Sequence, residues 1–264
     1  MMERPEVRKV TFTGSTEVGK ELIRQSADTV KKVSMELGGN APFIVFEDAD
    51  LDAAAEGAIV SKYRNSGQTC VCANRIYVQA SVHDAFVEKL VEKTRALKVG
   101  DGREEGVAQG PLIDLNAVAK VEELLDDAKG KGATVVLGGS RHQLGGSFFQ
   151  PTVLTGATQD MAFATEEIFG PLAPVFTFET EDQAIAMAND TVFGLASYVY
   201  TRDLGRAFRI NEKLQYGMIG INSGLITTVE APFGGLKESG MGKEGGSQGL
   251  EDYLDTKYVC IDGI

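Results

Sequence analysis

The sequence contains little histidine, cysteine and positive charge. It has two histidines, no tryptophan and three cysteines in 264 residues. With only His83 and His142, a Ser-His or Cys-His catalytic pair has few candidates, and no spacing resembles a zinc site, so we expect no metal. Three cysteines do not form a disulfide framework, which favours a reducing cytoplasm.

Charge and hydropathy argue against further classes of protein. The formal net charge is -12, from 38 acidic and 26 basic residues. This charge disfavours binding to nucleic acid or to an anionic membrane as the main task. It does not exclude a small anionic substrate, because a local arginine can override the distant field. The sequence has no long apolar run and no signal-peptide core near Met1, so we expect no membrane span and a cytoplasmic protein.

Extended apolar runs alternate with helical patterns along most of the chain. The predicted strands are residues 9–13, 32–37, 41–46, 75–79, 133–137, 173–178, 196–201 and 218–222. The predicted helices are residues 16–27, 51–64, 82–97, 116–129, 181–189 and 204–214. This alternation predicts an α/β fold, with a mainly parallel sheet and helices on both faces. The Gly-rich segment 232–249 interrupts the pattern, and residues 253–261 are predicted as an edge strand.

The run N-S-G-Q-T-C at residues 65–70 places Cys70 between a small-residue loop and a predicted strand. Such a loop can present a thiol at a cleft and supply backbone N–H donors, which indicates a reactive nucleophile. The alternative is that Cys70 is a small buried apolar residue. Cys72 is either structural or a redox-switch candidate, because a strained, reducible disulfide between the two cysteines would switch Cys70 off.

Glu36 ends a predicted strand in the run M-E-L-G-G-N at residues 35–40. A carboxylate beside two glycines is a candidate general base, and a solvated or paired carboxylate is the alternative. Ser15 lies in T-G-S-T-E-V-G at residues 13–19, where a strand–helix turn either binds an anion through backbone N–H groups or is a plain turn. That run is neither a Walker loop nor a GxGxxG fingerprint.

Arg64 and the run at residues 166–171 also have chemistry suited to binding a ligand. Arg64 precedes the cysteine run, where a guanidinium could hold a substrate carboxylate bidentately, although surface arginine is the usual case. The run E-E-I-F-G-P at residues 166–171 places Glu167 and Phe169 on a stiff turn. Such a pair could bind a ribose diol and cover a flat heterocycle.

Together these stretches resemble the aldehyde dehydrogenase superfamily. The matching stretches are F-T-G-S at 12–15, E-L-G-G-N at 36–40, G-Q-T-C at 67–70, E-I-F-G-P at 167–171, Asn222 and P-F-G-G-L-K-E-S-G at 232–240. They occur in family order across nearly the whole chain. The run at 64–75 and the ending G-L-E-D-Y-L at 249–254 are most similar to the succinate-semialdehyde dehydrogenase branch.

The resemblance implies a role for each site residue. Cys70 matches the nucleophile and Glu36 the general base. The positions that match the binding site for NAD or NADP are Ser15 at the pyrophosphate, Glu167 at the ribose, and Leu37, Gly38 and Phe169 around the nicotinamide. The positions that match the substrate site are Arg64 for a carboxylate, Thr227 where the branch usually has serine, Asn222, and Phe233 in the substrate tunnel.

The resemblance also implies a domain organisation. Residues 1–38 match the end of a dinucleotide-binding domain, residues 39–231 a catalytic domain, and residues 232–264 a return segment and oligomerisation strand. We therefore expect a homo-oligomer, either a dimer or a tetramer. Family members have a further N-terminal portion, about as long as this chain, that is absent from this sequence. It carries most dinucleotide-binding strands and an asparagine that helps hold the oxyanion.

The implied function is NAD(P)-dependent oxidation of an aldehyde with a distal carboxylate, such as succinate semialdehyde to succinate. The reaction passes through a thiohemiacetal and a thioester on Cys70, and this chain is expected to be a truncated form of that enzyme. The alternatives are an aldehyde dehydrogenase of other substrate preference, an inactive assembly fragment, and a cofactor-independent thiol esterase.

Overall fold

The computed structural model describes residues 1–263, which form two sheets and six α-helices. The strands are β1 Lys9–Thr13, β2 Lys32–Glu36, β3 Ala41–Val45, β4 Ala73–Gln79, β5 Thr134–Leu137, β6 Thr152–Ala157, β7 Leu172–Phe178, β8 Ala196–Tyr200, β9 Met218–Ile221 and β10 Gly240–Met241. The helices are α1 Thr16–Ala27, α2 Leu51–Tyr63, α3 His83–Arg95, α4 Leu115–Gly130, α5 Glu181–Asn189 and α6 Leu204–Lys213. Short 3₁₀ turns occupy Arg64–Gly67, Ala80–Val82, Ala162–Ala164, Lys237–Ser239 and Gln248–Tyr253.

The main sheet has seven strands in the order β5-β6-β7-β4-β3-β8-β9. Every neighbouring pair is parallel except β5 and β6. Buried residues of α2 and α3 pack on one face, and those of α4, α5 and α6 pack on the other. The predicted α/β class, with a mainly parallel sheet covered on both faces, is confirmed.

The local sequence explains why these elements form. All five residues of β3 and of β8 are buried, as expected for strands covered on both faces. Helix α2 begins after Asp50, whose carboxylate accepts hydrogen bonds from the backbone N–H groups of Asp52 and Ala53, both at 3.1 Å. Helix α4 begins in the same way after Asp114.

A smaller sheet has the order β1-β2-β10, with β1 parallel and β10 antiparallel to β2. Residues 37–40, here called the joint, connect the end of β2 to the start of β3 and so link the two sheets. The predicted domain boundary at residue 38 falls in this joint, and the domain division itself stays a prediction.

The predicted secondary structure was wrong at three places, one of which is the two-residue strand β10, inside the Gly-rich segment where no strand was predicted. Strand β6 was missed, since T-V-L-T-G-A has weak strand character and pairing with β5 and β7 is what makes it a strand. Residues 254–263 contain no strand, whereas an edge strand was predicted at 253–261. The nearby strand β2 already pairs on both sides, and the Lys32 ammonium instead donates a hydrogen bond to the Leu254 carbonyl. Among the described residues, no helix is long and apolar enough to cross a lipid bilayer.

Candidate functional site

A cavity of about 560 Å³ lies where the ends of β1 and β2 meet the cysteine loop. Seven sequence-predicted site residues line it together, namely Ser15, Glu36, Leu37, Gly38, Cys70, Glu167 and Phe169. The structure therefore brings the candidate thiol, the candidate base and the candidate cofactor positions into one space.

The cysteine loop, residues 64–73, has an unusual backbone. Asn65, Ser66 and Gly67 all have left-handed conformations, with φ of 51°, 59° and 78°. Such a run is unfavourable for residues with side chains, so other contacts must hold it. The Ser66 hydroxyl donates a hydrogen bond to the Gly110 carbonyl at 2.9 Å, and the Gln68 amide oxygen accepts one from the Ile113 N–H at 2.8 Å.

The joint packs directly against the cysteine loop. A Cβ atom on Gly39 would lie 2.2 Å from the carbonyl oxygen of Cys70, so a side chain cannot fit there. The Gly39 N–H donates a hydrogen bond to the Glu167 carboxylate at 3.0 Å. One glycine thus places the thiol-bearing loop beside the Glu167 carboxylate.

Both candidate reactive groups have shifted pKa values. Burial, followed by the charges of Glu167 and Glu36, raises the pKa of Cys70 to about 12. Burial and the nearby Glu244 raise the pKa of Glu36 to about 8, with Lys243 acting in the opposite direction. Glu36 is 4% exposed, and its Oε2 atom has no hydrogen-bond partner in the structure. This carboxyl oxygen is therefore buried at the cavity wall with its hydrogen-bonding capacity unused.

Glu167 is held from several sides. The Lys120 ammonium donates a hydrogen bond to its backbone carbonyl at 2.6 Å. Burial raises the pKa of its carboxyl, while the Gly39 N–H and the charges of Lys120 and Lys62 oppose that rise. Phe169 has a left-handed φ of 51° and remains partly exposed at the cavity.

A second, smaller recess adjoins the cavity and contains Arg64 and Thr227. Thr69 lines both spaces, so this recess lies next to Cys70. Within residues 1–263, no carboxylate forms an ion pair with Arg64. An unpaired guanidinium beside a hydroxyl is suited to binding an anionic group.

The structure does not bring two predicted substrate residues into these spaces. The amide side chain of Asn222 accepts a hydrogen bond from the Thr201 N–H at 3.0 Å and donates one to the Thr201 carbonyl at 2.9 Å, which fixes the end of β8. Phe233 lines neither space, but it packs against the same buried cluster as Cys70 and Val71.

Cys72 is a buried residue of the cysteine loop, and its sulfur lies 2.9 Å from the Thr69 hydroxyl. Cys70 and Cys72 are both free thiols in this structure. The redox-switch role of Cys72 stays a prediction.

Sequence reasoning missed several residues of the cavity. Ala117 and Lys120 come from α4, one turn apart on the same helix face. Their only sequence signal was a three-residue spacing, which many helices have. Thr13, Gly14, Gln68 and Thr69 also line the cavity, and all four lie inside or beside motifs already recognised.

The cavity fits a flat heterocycle linked to a ribose. Its volume lies in the usual range of small-molecule sites, ~300–1,000 Å³. Leu37 and Phe169 provide apolar wall, while Glu167 provides a carboxylate for hydroxyl groups. In the part of the chain that the structure describes, no group of three or more His, Cys, Asp or Glu residues is arranged to hold a metal ion.

Comparisons with known proteins identify the family of the chain. The model of the "Aldehyde dehydrogenase family" matches residues 1–259. The glutarate-semialdehyde dehydrogenase of Pseudomonas aeruginosa is 61% identical over 264 residues, which is 100% of this chain and 55% of that protein. The 3-sulfolactaldehyde dehydrogenase of Pseudomonas putida is 62% identical over 260 residues, or 98% of this chain and 54% of that protein.

The crystal structure of succinate-semialdehyde dehydrogenase from Burkholderia pseudomallei is also similar, with a TM-score of 0.98 and 59% identity. The match covers 98% of this chain and 54% of that one. The chain thus spans about half the length of the relatives that it matches.

Proposed function

Because this chain belongs to the aldehyde dehydrogenase family, we propose that it carries the catalytic residues for NAD(P)-dependent oxidation of an aldehyde with a distal acidic group, such as succinate semialdehyde. The observation that supports this most is that Cys70 and Glu36 line one cavity, next to a recess containing Arg64. A thiol adds to the aldehyde, a cationic anchor binds its distal acid, and a carboxyl base hydrolyses the thioester that remains once the nicotinamide has accepted the hydride.

In the proposed reaction the Cys70 thiol gives its proton to water, and its sulfur then forms a bond to the aldehyde carbon while the carbonyl π bond opens to leave the charge on oxygen. The backbone N–H of Cys70 donates a hydrogen bond to the resulting oxyanion. After oxidation the acyl group is held on Cys70 as a thioester. Glu36 then removes a proton from a water molecule, which attacks the thioester carbon and releases the acid and the thiol.

The residues proposed to hold NAD or NADP are Ser15, Leu37, Gly38, Glu167 and Phe169. When bound, the nicotinamide supplies the acceptor for the hydride that leaves the aldehyde carbon. The Glu167 carboxylate is suited to accept hydrogen bonds from ribose hydroxyls, and Leu37 and Phe169 provide apolar contacts for the nicotinamide ring.

Arg64 and Thr227 are proposed to bind the distal acidic group. The relatives named above are a glutarate-semialdehyde, a 3-sulfolactaldehyde and a succinate-semialdehyde dehydrogenase. Those three aldehydes share an acidic group at the far end of a short chain. Asn222 and Phe233 are also proposed for the substrate site, although they line neither of the two spaces described.

A direct test measures reduced nicotinamide formed from succinate semialdehyde by the protein that contains this chain. We expect Cys70→Ala to abolish the signal and the exposed-cysteine control Cys260→Ala to keep it. Arg64→Ala should raise KM for succinate semialdehyde and leave KM for butanal, which has no acidic group, unchanged. Equal rates for wild type and Cys70→Ala would eliminate Cys70 as the nucleophile.

Thiol esterase activity is a second candidate, favoured by the presence of Cys70 and Glu36 on the same chain. Release of p-nitrophenol from p-nitrophenyl acetate without nucleotide would support it. The absence of both ester cleavage and nucleotide binding would instead favour an inert assembly fragment.

We also propose a homo-oligomer, a dimer or a tetramer. The C-terminal residues of the described chain are strongly exposed although many are apolar, including Leu250, Tyr258 and Ile261. Burying them against another copy would be favourable. Light scattering that shows only monomer at high concentration would count against this proposal.

A further inference from the structure

Arg75 lies on β4, five residues after Cys70, and its side chain is 0% exposed. A buried guanidinium is normally paired with a carboxylate, because an isolated buried charge is costly. Within residues 1–263, Arg75 has no such ion pair. Its hydrogen bonds all go to neutral oxygens.

These bonds connect three parts of the fold. The guanidinium donates twice to the carbonyl of Asn40, from Nε at 3.0 Å and from Nη2 at 2.8 Å. It also donates to the carbonyls of Met187 at 3.1 Å and Ala188 at 2.9 Å. Those carbonyls lie in the last turn of α5, where the helix dipole favours a cation. The hydroxyls of Tyr77 and Tyr216 accept the remaining bonds, at 3.2 and 2.8 Å.

Asn40 is the last residue of the joint that follows Glu36. Its side-chain amide donates hydrogen bonds to the carbonyls of Phe163 and Ala164, at 3.3 and 3.1 Å. The preceding residue, Gly39, donates to Glu167 and packs against the Cys70 carbonyl. Arg75 therefore fixes the end of the joint that is attached to the main sheet, and Glu36 lies at the other end.

The cysteine loop has anchors of its own. Ser66 and Gln68 hold it to residues 110–113, and neither bond involves Arg75. Loss of the guanidinium should therefore disturb the joint and Glu36 more than Cys70.

We propose that Arg75 is a positioning residue that holds the joint at Asn40, so that Glu36 faces the acyl group on Cys70. The proposal rests on the proposed function only in taking Cys70 as the nucleophile and Glu36 as the base. Without the guanidinium, formation of the acyl-enzyme continues while its hydrolysis slows.

The test uses p-nitrophenyl acetate, for which the initial burst of p-nitrophenol reports acylation of Cys70 and the steady state reports hydrolysis. The variants are Arg75→Met, Arg75→Lys and the exposed-arginine control Arg24→Met. We expect Arg75→Met to keep the burst rate within about twofold and to lose at least ~10-fold in the steady-state rate, since a positioned base contributes ~10²–10⁴. Arg75→Lys should recover part of that loss, because an ammonium can still donate to the Asn40 carbonyl.

A second measurement is independent of turnover. Hydrogen exchange of a peptide spanning residues 36–40 should be faster in Arg75→Met, while exchange in residues 64–70 should match wild type. If Arg75→Met does not fold, as judged by circular dichroism, Tyr216→Phe should show the same pattern with a smaller effect.

The proposal is overturned if burst and steady-state rates fall by the same factor, or if neither changes while the joint exchanges as in wild type. Failure of the proposed function would look different, because a wild-type burst that survives Cys70→Ala would reject the nucleophile itself. If wild type shows no burst and Arg75→Met shows no change in hydrogen exchange, both proposals are contradicted.

Discussion

The candidate nucleophile and the candidate base belong to two regions with very different support. Cys70 lies in the cysteine loop, which connects α2 to β4. This loop borders a seven-stranded sheet whose central strands are almost completely buried. Glu36 ends the middle strand of a three-stranded sheet, in which β10 has only two residues and β1 has no fully buried residue. The base therefore belongs to the smaller sheet, and the joint connects it to the main sheet beside the thiol.

The two regions also differ in the charges that they bury. The main-sheet region buries Lys62 and Arg75 without an ion-pairing carboxylate among residues 1–263. The small-sheet region buries the Glu36 carboxyl near another acid, Glu244. In each region, burial of charged or ionisable groups lowers the stability of the fold. The two effects can be measured separately.

The largest expected effect comes from removing the base with Glu36→Gln. Hydrolysis of the ester should fall by ~10²–10⁴ while the burst persists. Stability should increase, because the folded-state pKa of about 8 lies above the ordinary value of 4.5 for a glutamate. The folded state holds this proton more tightly, so ionisation lowers stability as pH rises from about 4.5 to about 8.

Urea unfolding at pH 5 and pH 8 checks this prediction. The gain in unfolding free energy from Glu36→Gln should be larger at pH 8, by roughly 1–3 kcal/mol. Glu47→Gln, in a polar and more exposed position, is the matched control and should show no such increase. An equal gain at both pH values would mean that Glu36 is not strained in the folded chain.

The next effect tests the contact that joins the two regions. Gly39→Ala would place a methyl group about 2.2 Å from the Cys70 carbonyl, so joint or loop must move. We expect a loss of about 1–3 kcal/mol in unfolding free energy, the usual range for core overpacking. Gly130→Ala is the control, since nothing lies within 4 Å of the added methyl group. Similar stabilities for the two variants would contradict the close packing.

A smaller effect tests the charge buried on the main-sheet side. Burial lowers the pKa of Lys62 from 10.5 to about 8, and its ammonium donates one hydrogen bond to Asn74 at 2.9 Å. Between about pH 8 and 10.5 the unfolded chain binds this proton and the folded chain does not, so stability rises with pH in that window. Lys62→Met should remove this rise.

Denaturant unfolding at pH 7 and pH 9.5 measures this rise of stability with pH. The stability of wild type relative to Lys62→Met should increase by about 1–2 kcal/mol across this interval. The range stops below pH 10 because Tyr77 and Tyr200, whose pKa values are raised by burial, lower stability at higher pH. Lys129→Met, at an exposed helix position, should leave the pH dependence unchanged. Parallel pH profiles for wild type and Lys62→Met would contradict the prediction.

The smallest effect concerns the small-sheet side. Val30, between α1 and β2, is 88% exposed and has a left-handed φ of 50°, which a β-branched residue adopts at a cost. Val30→Gly should raise the unfolding free energy by about 1 kcal/mol. Val229→Gly, at an exposed site without positive φ, should give no gain. A loss at both positions would show that Val30 is not strained.

Much of the fold followed from local pattern. Strand β1 and helix α1 were predicted with the bounds that the structure has, because Ser15 caps the helix and the run before it is apolar and extended. Helix α5 was also predicted with its observed bounds, and the other helices differed by one or two residues at their ends. Strand β6, strand β10 and the segment at 253–261 were missed or wrong, since each depends on a neighbour far away in the chain.

The site shows the same division between local and distant information. Cys70, Glu36, Glu167 and Ser15 lie in short motifs, so the sequence could nominate them. Lys120 lies in no such motif, and Arg75 ends the run 64–75 without any role that the run itself suggests. Their contacts to Glu167 and Asn40 join residues 35 or more positions apart.

The sequence by itself determined the alternation of strands and helices, the positions where chemistry is concentrated, and the family to which those motifs point. These features are local, because they depend on periodicity, capping and short runs of residues. Only the tertiary structure decided that Glu36 and Cys70 share a cavity, that Gly39 has no room for a side chain, and that Arg75 holds the joint. Those facts depend on which distant backbone oxygens meet a given atom once the two sheets have assembled.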